Sequence, residues 1–480
     1  MTDAEFQGWL KRGGRVVVLV EVQTSPASYL STVPYTTLPT DSPANRAYLP
    51  VVAGGVAFTE TLPLDGQATL SAGDIEVHNE DGTLDVWLSG VWANRGVQVF
   101  VGDVDWPRGE FRKVFDGVVS DLESSSASRL NITLRDKLQR LNTPVSEALL
   151  GGSTPNKDRL LPITLGEVHN IEPLLADPAT HTYQCHAGTL ERLIEVRADG
   201  VPRATTGAGT GKFALTAAPV GTITASVQGG SPYKNTVSGI VQTLALSYGN
   251  PTERLVSGDL DSVQLAAFDS AHPQPVGVHI SDRSNVLQVC QDLAASVGAQ
   301  VAMSRAGKLR LLKVNLPAGG TPVEIKPQDY EAMTLAIARR STVIAGVRLG
   351  YCKNWTVQTN VESGIPSEHK DLFAQEWLTA TARDAGVAST YKLFADPPQV
   401  DTLLLKRTDA DAEAARRLAL WKVPRTVYTV NCFAHMLTLE LGQAVTLYGD
   451  RFGLNAGKTG QVVALETDWI ARRVKVEILT

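Results

Sequence analysis

Residues 435–480 read HMLTLELGQAVTLYGDRFGLNAGKTGQVVALETDWIARRVKVEILT and run to Thr480. Leu437 and Leu439, Val445 and Leu447, Val462 and Leu465, and then Val474, Val476 and Ile478 are spaced mostly at period two. A β-strand sends successive side chains to opposite faces, so each set lies on one sheet face. Gly442, Gly449, Gly453, Gly457 and Gly460 mark the places where the chain turns, and 453–460 is long enough to project as a loop. The stretch predicts a strand meander whose last strand is structural. Lys475 and Glu477 face away from the apolar set, so a slip of one residue exposes the whole set and the register is tightly specified.

Outward from this end, the same reading predicts a mainly β, multidomain protein with minor α content. Residues 15–22, RVVVLVEV, form a continuous apolar run of the kind seen in a buried strand. The Ser/Thr/Pro-rich residues 24–50 read as a loop. Strands are expected at 51–58, 75–78, 97–101, 114–119 and 130–134, with a turn at 79–82 and a short helical piece at 136–141. KFALTAAPVGTITASVQG, residues 212–229, alternates like a hairpin with residues 219–221 at its tip. A helix over 284–297 places Val286, Leu287, Cys290, Leu293, Ala294 and Val297 on one stripe, capped by Ser284 or Asp282 and ended by Gly298. A hairpin of 301–303 with 309–311 follows. A second helix is expected from Thr408 to Trp421, with Asp411 near its positive end and Pro424 beyond it. These segments divide the chain into a barrel-like domain at 1–148, an inserted β-module at 149–235, an α+β domain at 236–350, and connector helices with a C-terminal barrel at 351–480.

The 480 residues carry 43% hydrophobic and 20% charged side chains, enough to fill cores, and 41 Gly with 25 Pro suit many short strands and turns. The net charge of −6 supplies no basic field for nucleic acid. No apolar stretch approaches a membrane span, and the first residues lack the apolar core of a signal peptide, so synthesis in a cytoplasm is expected. Cys185, Cys290, Cys352 and Cys432 are dispersed without a CxxC pair, which points to reduced thiols rather than a disulfide framework or zinc ribbon.

The terminal segment resembles the closing barrel of bacteriophage tail hub proteins, in which a phrase of the type LG-x-x-V-x-L…GL…G…V…E precedes a final strand. GDIEVHNEDGTLDVWLSGVWANRGVQVFVGD (73–103), LPITLGEVHNIEPLL (161–175) and LGYCKNWTVQ (349–358) are similar to segments of tail-tip proteins from long-tailed, siphovirus-like phages. The resemblance implies a central hub of the tail tip or baseplate, a homo-oligomer, trimeric or hexameric, with two barrel-like domains per subunit around a channel. It implies contacts with the distal tail or tube protein, the tape measure protein, and tail fibres or receptor-binding proteins, with phage DNA passing through without specific binding. Two rivals stand beside the hub: a distal tail protein in a six-fold ring, and a tail-associated cell-wall hydrolase or glycan-binding module.

Candidate chemistry is sparse, and neither an enzyme nor a cofactor is expected. GAGTGK at 207–212 invites comparison with a phosphate loop, yet Thr206 stands where the motif wants glycine, Phe213 replaces the Ser/Thr, and a hairpin is expected to follow. His181, Cys185 and His186 in HTYQCH, with Cys432 and His435 in CFAH, have the right donor types for zinc or an iron–sulfur cluster, and some tail-tip relatives hold such clusters. The long separation favours ordinary strand residues, so no metal is expected. Asp116, Asp121, Glu466 and Asp468 are the carboxylates that a hydrolytic pair would draw on, although each lies beside strand alternation or a turn. Trp87, Trp92, Trp106, Trp355, Trp377, Trp421 and Trp469 suit cores and subunit seams, or stacking on a glycan, with Trp355 alternating with Val357 and expected to point inward.

Overall fold

The computed structural model describes residues 1–54, 56–317 and 320–480. Its contacts follow a plan other than four consecutive domains. They gather the chain into two units, Met1–Gln139 with Gln300–Thr342 and Pro424–Thr480, and Arg140–Ala299 with Val343–Val423. The physical reason is strand pairing between distant segments, which a linear reading of composition does not register.

In the first unit Val16–Val22 is buried as expected and pairs antiparallel with Gly96–Asp103 and with Ser28–Ser31. The 24–50 segment is therefore not only loop: it supplies an edge strand and the small ladder Tyr35–Thr36 with Ala47–Tyr48. The antiparallel order continues through Arg112–Ser126, Arg129–Arg135, Ile75–His78 and Val52–Gly54. The turn at 79–82 leads into the 3-10 helix Asp85–Ser89.

A second sheet holds the terminal residues, in the order Val323–Ile325, Ala444–Leu447, Lys458–Asp468, Arg473–Leu479, Thr426–Phe433, Ala336–Arg340. Val474, Val476 and Ile478 are fully buried, each contributing about 1.5–3 kcal/mol relative to an exposed position. Lys475 lies on the exposed face, as the alternation predicts. Leu437 and Leu439 depart from the expected strand, because residues Ala434–Thr438 form a 3-10 turn with Leu439 as its cap. Ala57–Thr61 pairs with the far half of Lys458–Asp468, and Phe58 stacks on Phe115 at 4.9 Å, so one core serves both sheets. Arg305, in the turn of the hairpin Ala299–Met303 with Leu309–Lys313, places its Nε 2.7 Å from Glu60 and ties residues 300–313 to this unit.

The N-terminal helix Asp3–Arg12 was not expected. Thr2 accepts from the Glu5 amide while Glu5 accepts from the Thr2 amide, a capping box written plainly as T-D-A-E. Phe6, Trp9 and Leu10, at helical spacing, are its buried side.

The second unit contains a five-stranded sheet, Val201–Pro202, Leu190–Ala198, Ile223–Gly229, Ile163–Ile171 and Gly277–Ile280, and a four-stranded one, Leu174–Asp177, Thr182–Gln184, Lys212–Leu215 and Thr205–Gly207. The predicted 212–229 hairpin is corrected here: Lys212–Leu215 and Ile223–Gly229 belong to different sheets. The two sheets share a core around Tyr183, Phe213, Val196 and Val227, so alternation was present in both strands while the pairing lay elsewhere.

Helix Val286–Ser296 buries Val286, Val289, Cys290, Leu293 and Ala294 and stops before Gly298 at φ +69°. Its N-cap is Asn285 rather than Ser284 or Asp282, and Asp282 holds Ser284 in a turn before it. The later helix runs Arg407–Trp421 with Lys406 as N-cap, which puts Thr408 inside its first turn. Its Ala414 and Leu418 pack on Val347 and Leu349 of the sheet Leu378–Arg383, Gly346–Tyr351, Gln399–Asp401. Helices Val237–Ser247, Ser262–Ala271, Ser367–Phe373 and Ala385–Tyr391 complete the unit beyond those the periodicity had signalled.

Candidate functional site

The four carboxylates singled out in the sequence each have a local structural partner. Asp116 is buried on Arg112–Ser126 and accepts from Lys113 Nζ at 2.6 Å, with Lys137 Nζ at 2.8 Å. Asp121 accepts from the Leu122 amide, Glu466 faces Lys475 across the ladder at 3.4 Å, and Asp468 accepts from the amides of Ile470 and Ala471 to close the last hairpin.

HTYQCH belongs to the second unit and CFAH to the first. Cys185 is buried, which pushes its thiol up to about 12; His186 accepts from the Thr164 amide at Nδ1, 3.0 Å, and burial lowers it to about 4. His181 sits in the turn before Thr182–Gln184 with φ +49°. Cys432 is also pushed up to about 12 by burial, while His435 Nε2 lies 3.1 Å from Asp329. Among the described residues no group of three or more His, Cys, Asp or Glu is arranged to hold a metal ion. Residues 207–212 form the turn joining Thr205–Gly207 to Lys212–Leu215, with Gly209 and Gly211 at positive φ, and no helix follows.

Sequence reasoning missed a cleft of about 1110 Å³ in the second unit, lined by His279, Asp292, Lys353, Trp355, Trp377 and Asp401 among others. Its volume lies just above the usual range of small-molecule pockets, about 300–1,000 Å³. The aromatic wall comes from residues just outside two paired strands. The chain leaves Gly346–Tyr351 through Cys352 at φ +51°, and Asn354 then donates its Nδ2 to the carbonyls of Phe373 and Gln375 at 2.8 and 3.0 Å. Those bonds hold the Trp355 segment beside the one that carries Trp377. Lys353 Nζ lies 4.3 Å from the Trp355 ring centroid and 5.2 Å from that of Trp377, a cation–π arrangement on both indoles, with Glu376 3.8 Å away. The expectation of Trp355 as a strand residue is corrected, since it lies in no strand and Val357 is 47% exposed, but the indole is half-buried and one side of it packs against the core around Tyr183 and Phe213.

His279, on Gly277–Ile280, packs against Trp355 with ring centroids 5.8 Å apart at 76°. Thr164 Oγ1 donates its one hydrogen to the Cys185 carbonyl and lies 2.9 Å from His279 Nδ1, so Nδ1 carries the proton and donates to Thr164. Nε2 is then left as an acceptor, and burial keeps the ring neutral by lowering its pKa to about 4. Burial raises the Asp292 carboxyl above its ordinary value, against the bond donated by Gln288. The charged lining is Glu172, Asp282, Asp292 and Asp401 against Arg159 and Lys353, four acids to two bases.

A different kind of feature lies at the end of the terminal sheet in the first unit. All five residues of Ala336–Arg340 are exposed, the strand has Thr426–Phe433 as its sheet neighbour on one side, and Met333 just before it is 99% exposed.

No family model matches the chain, and no curated protein matches it. Among solved structures it is similar to the prophage MuSo2 43 kDa tail protein from Shewanella oneidensis, at 10% identity and a TM-score of 0.43 over 97% of this chain and 98% of that one. It is similar to a tail protein from Neisseria meningitidis MC58 at 9% identity and a TM-score of 0.41, covering 97% and 96%. A chain of the virion of a native gene transfer agent particle is similar at 16% identity and a TM-score of 0.42, covering 72% and 91%. Identities and TM-scores of this size assign a role to no residue.

Proposed function

We propose that this chain is a structural, non-enzymatic protein of a long-tailed phage virion and forms the central hub of the tail tip. In that role it continues the tube channel and anchors peripheral tail proteins or fibres. The observation that carries the reading is the outer edge of the terminal sheet, which among the described residues has no strand paired with it. Ala336–Arg340 presents a row of backbone donors and acceptors beside exposed Met333 and Ile337. Such an edge is a template for pairing with another chain, and the bulge between Ile337 and Arg339 with the two arginines that end the strand limits which chain can pair there. Here it belongs to the sheet built from the segment that resembles the closing barrel of tail hubs. Obligate assembly would bury about 2,000–5,000 Å² per interface, enough to cover this edge and its apolar neighbours.

The expected partners are further copies of the chain, three in a ring, with the distal tail or tube protein and the tape measure protein on the channel axis. A genetic test follows from this reading. Disabling the gene in its phage should leave capsids that package DNA but no infectious tails, and the protein should be found in purified wild-type tails at a few copies per particle. Infectious particles of normal morphology made without the protein would overturn the proposal.

A further inference from the structure

We propose that the cleft of the second unit binds a neutral oligosaccharide, with Trp355 and Trp377 as its stacking wall. The inference is independent of the hub reading, because it rests on the lining of one cavity. Pyranose rings present flat C–H faces bounded by hydroxyls, and they bind where an indole meets the C–H face while fixed acceptors and donors meet the hydroxyls. The cleft has those components. Lys353 is drawn to both indoles and holds them in one cluster, and its remaining ammonium hydrogens are donors. Asp292, Asp401 and the neutral Nε2 of His279 are acceptors on the other walls.

Charge narrows the ligand class. Four carboxylates facing two cations disfavour phosphate, sialic acid or nucleic acid, whose charge would be desolvated against like charge. A neutral sugar carries no such penalty, and its hydroxyls donate well to carboxylates. The geometry is also prepared before a ligand arrives. Asn354 is pinned by two backbone carbonyls and His279 by Thr164, so little ordering remains to oppose binding.

The full chain should be titrated with maltotetraose, cellotetraose and chitotetraose while tryptophan fluorescence is followed, and with lactose and 3′-sialyllactose as a neutral and anionic pair. At least one neutral tetrasaccharide should change the emission saturably, and W377A and D292N should each weaken it by about tenfold or more. Unchanged melting curves for the variants show that they fold, and if W377A does not, D292N carries the test alone. Lactose should bind more tightly than 3′-sialyllactose. The proposal is overturned if none of the tetrasaccharides saturates, if binding survives both substitutions, or if the sialylated sugar binds better. It is equally overturned if a lysine-rich peptide, and no sugar, gives the tryptophan-dependent signal.

Discussion

At the scale of single residues, the second unit holds its histidines neutral. His186 and His279 are both lowered from 6.5 to about 4 by burial, and both lean on Thr164. The unfolded chain therefore binds protons between pH 6.5 and 4 that the folded chain does not, so their contribution is complete above pH 6.5 and is lost as pH falls toward 4. Each gap is worth at most about 3 kcal/mol, less for the two together because they interact. Asp136, raised to about 6 by burial, opposes this with the other sign, as do Asp292 and Glu60, which burial also raises; Asp177, Asp384 and Asp396, lowered by their hydrogen bonds, act in the same direction as the imidazoles. The expected result is a melting temperature that drops between pH 6.5 and 4, and a shallower drop in H279Q, whose amide can still donate to Thr164. An unchanged slope in H279Q would remove His279 from the explanation. Glycines give a second prediction. A Cβ on Gly460 would lie 2.2 Å from the Leu479 carbonyl, whereas one on Gly207 would meet nothing within 4 Å. G460A should cost roughly 2 kcal/mol or more in denaturant unfolding, and G207A within about 0.5 kcal/mol of zero. Equal losses would contradict the packing described at the terminal strand.

At the scale of elements, Arg473–Leu479 is an interior strand, paired with Thr426–Phe433 on one side and Lys458–Asp468 on the other. Truncation after Ile470 therefore opens a gap with two bare edges inside the core, and the shortened protein is expected in the insoluble fraction. A soluble, cooperatively melting truncation would mean that the strand is dispensable. Thr205–Gly207, by contrast, is the outermost strand of its sheet and, among the described residues, pairs with Lys212–Leu215 alone. Deleting residues 204–209 spares the Gly211 carbonyl that accepts from the Cys185 amide at 2.8 Å, and should move the melting temperature by only a few degrees. What the sequence reveals of such elements follows from how local their cause is. The alternation of Val474, Val476 and Ile478 is legible because one face is buried. The helix at Val286–Ser296 is legible from its stripe, although its cap falls one residue beyond Ser284. The pairing of Ala57–Thr61 with Lys458–Asp468 has no local signature, and neither does the parallel ladder of Val323–Ile325 with Ala444–Leu447. The cleft is less legible still. His279, Asp292, Lys353, Trp377 and Asp401 come from separate elements, and the only signal in the sequence was a scatter of tryptophans.

At the scale of the whole molecule, the chain forms two β-rich units, one carrying an open sheet edge and the other a polar cleft with an aromatic wall. Neither feature depends on a covalent cross-link: Cys185, Cys290, Cys352 and Cys432 are free, and the three most buried are held away from reactivity by burial. The central claim is tested most directly by counting the chain in its ring, through a cryo-electron microscopy reconstruction of the tail tip computed without imposed symmetry. The hub reading expects three copies around the channel, with Ala336–Arg340 buried against another chain. Six copies in a ring would identify a distal tail protein instead, and a single peripheral copy with that edge facing solvent would contradict the account outright.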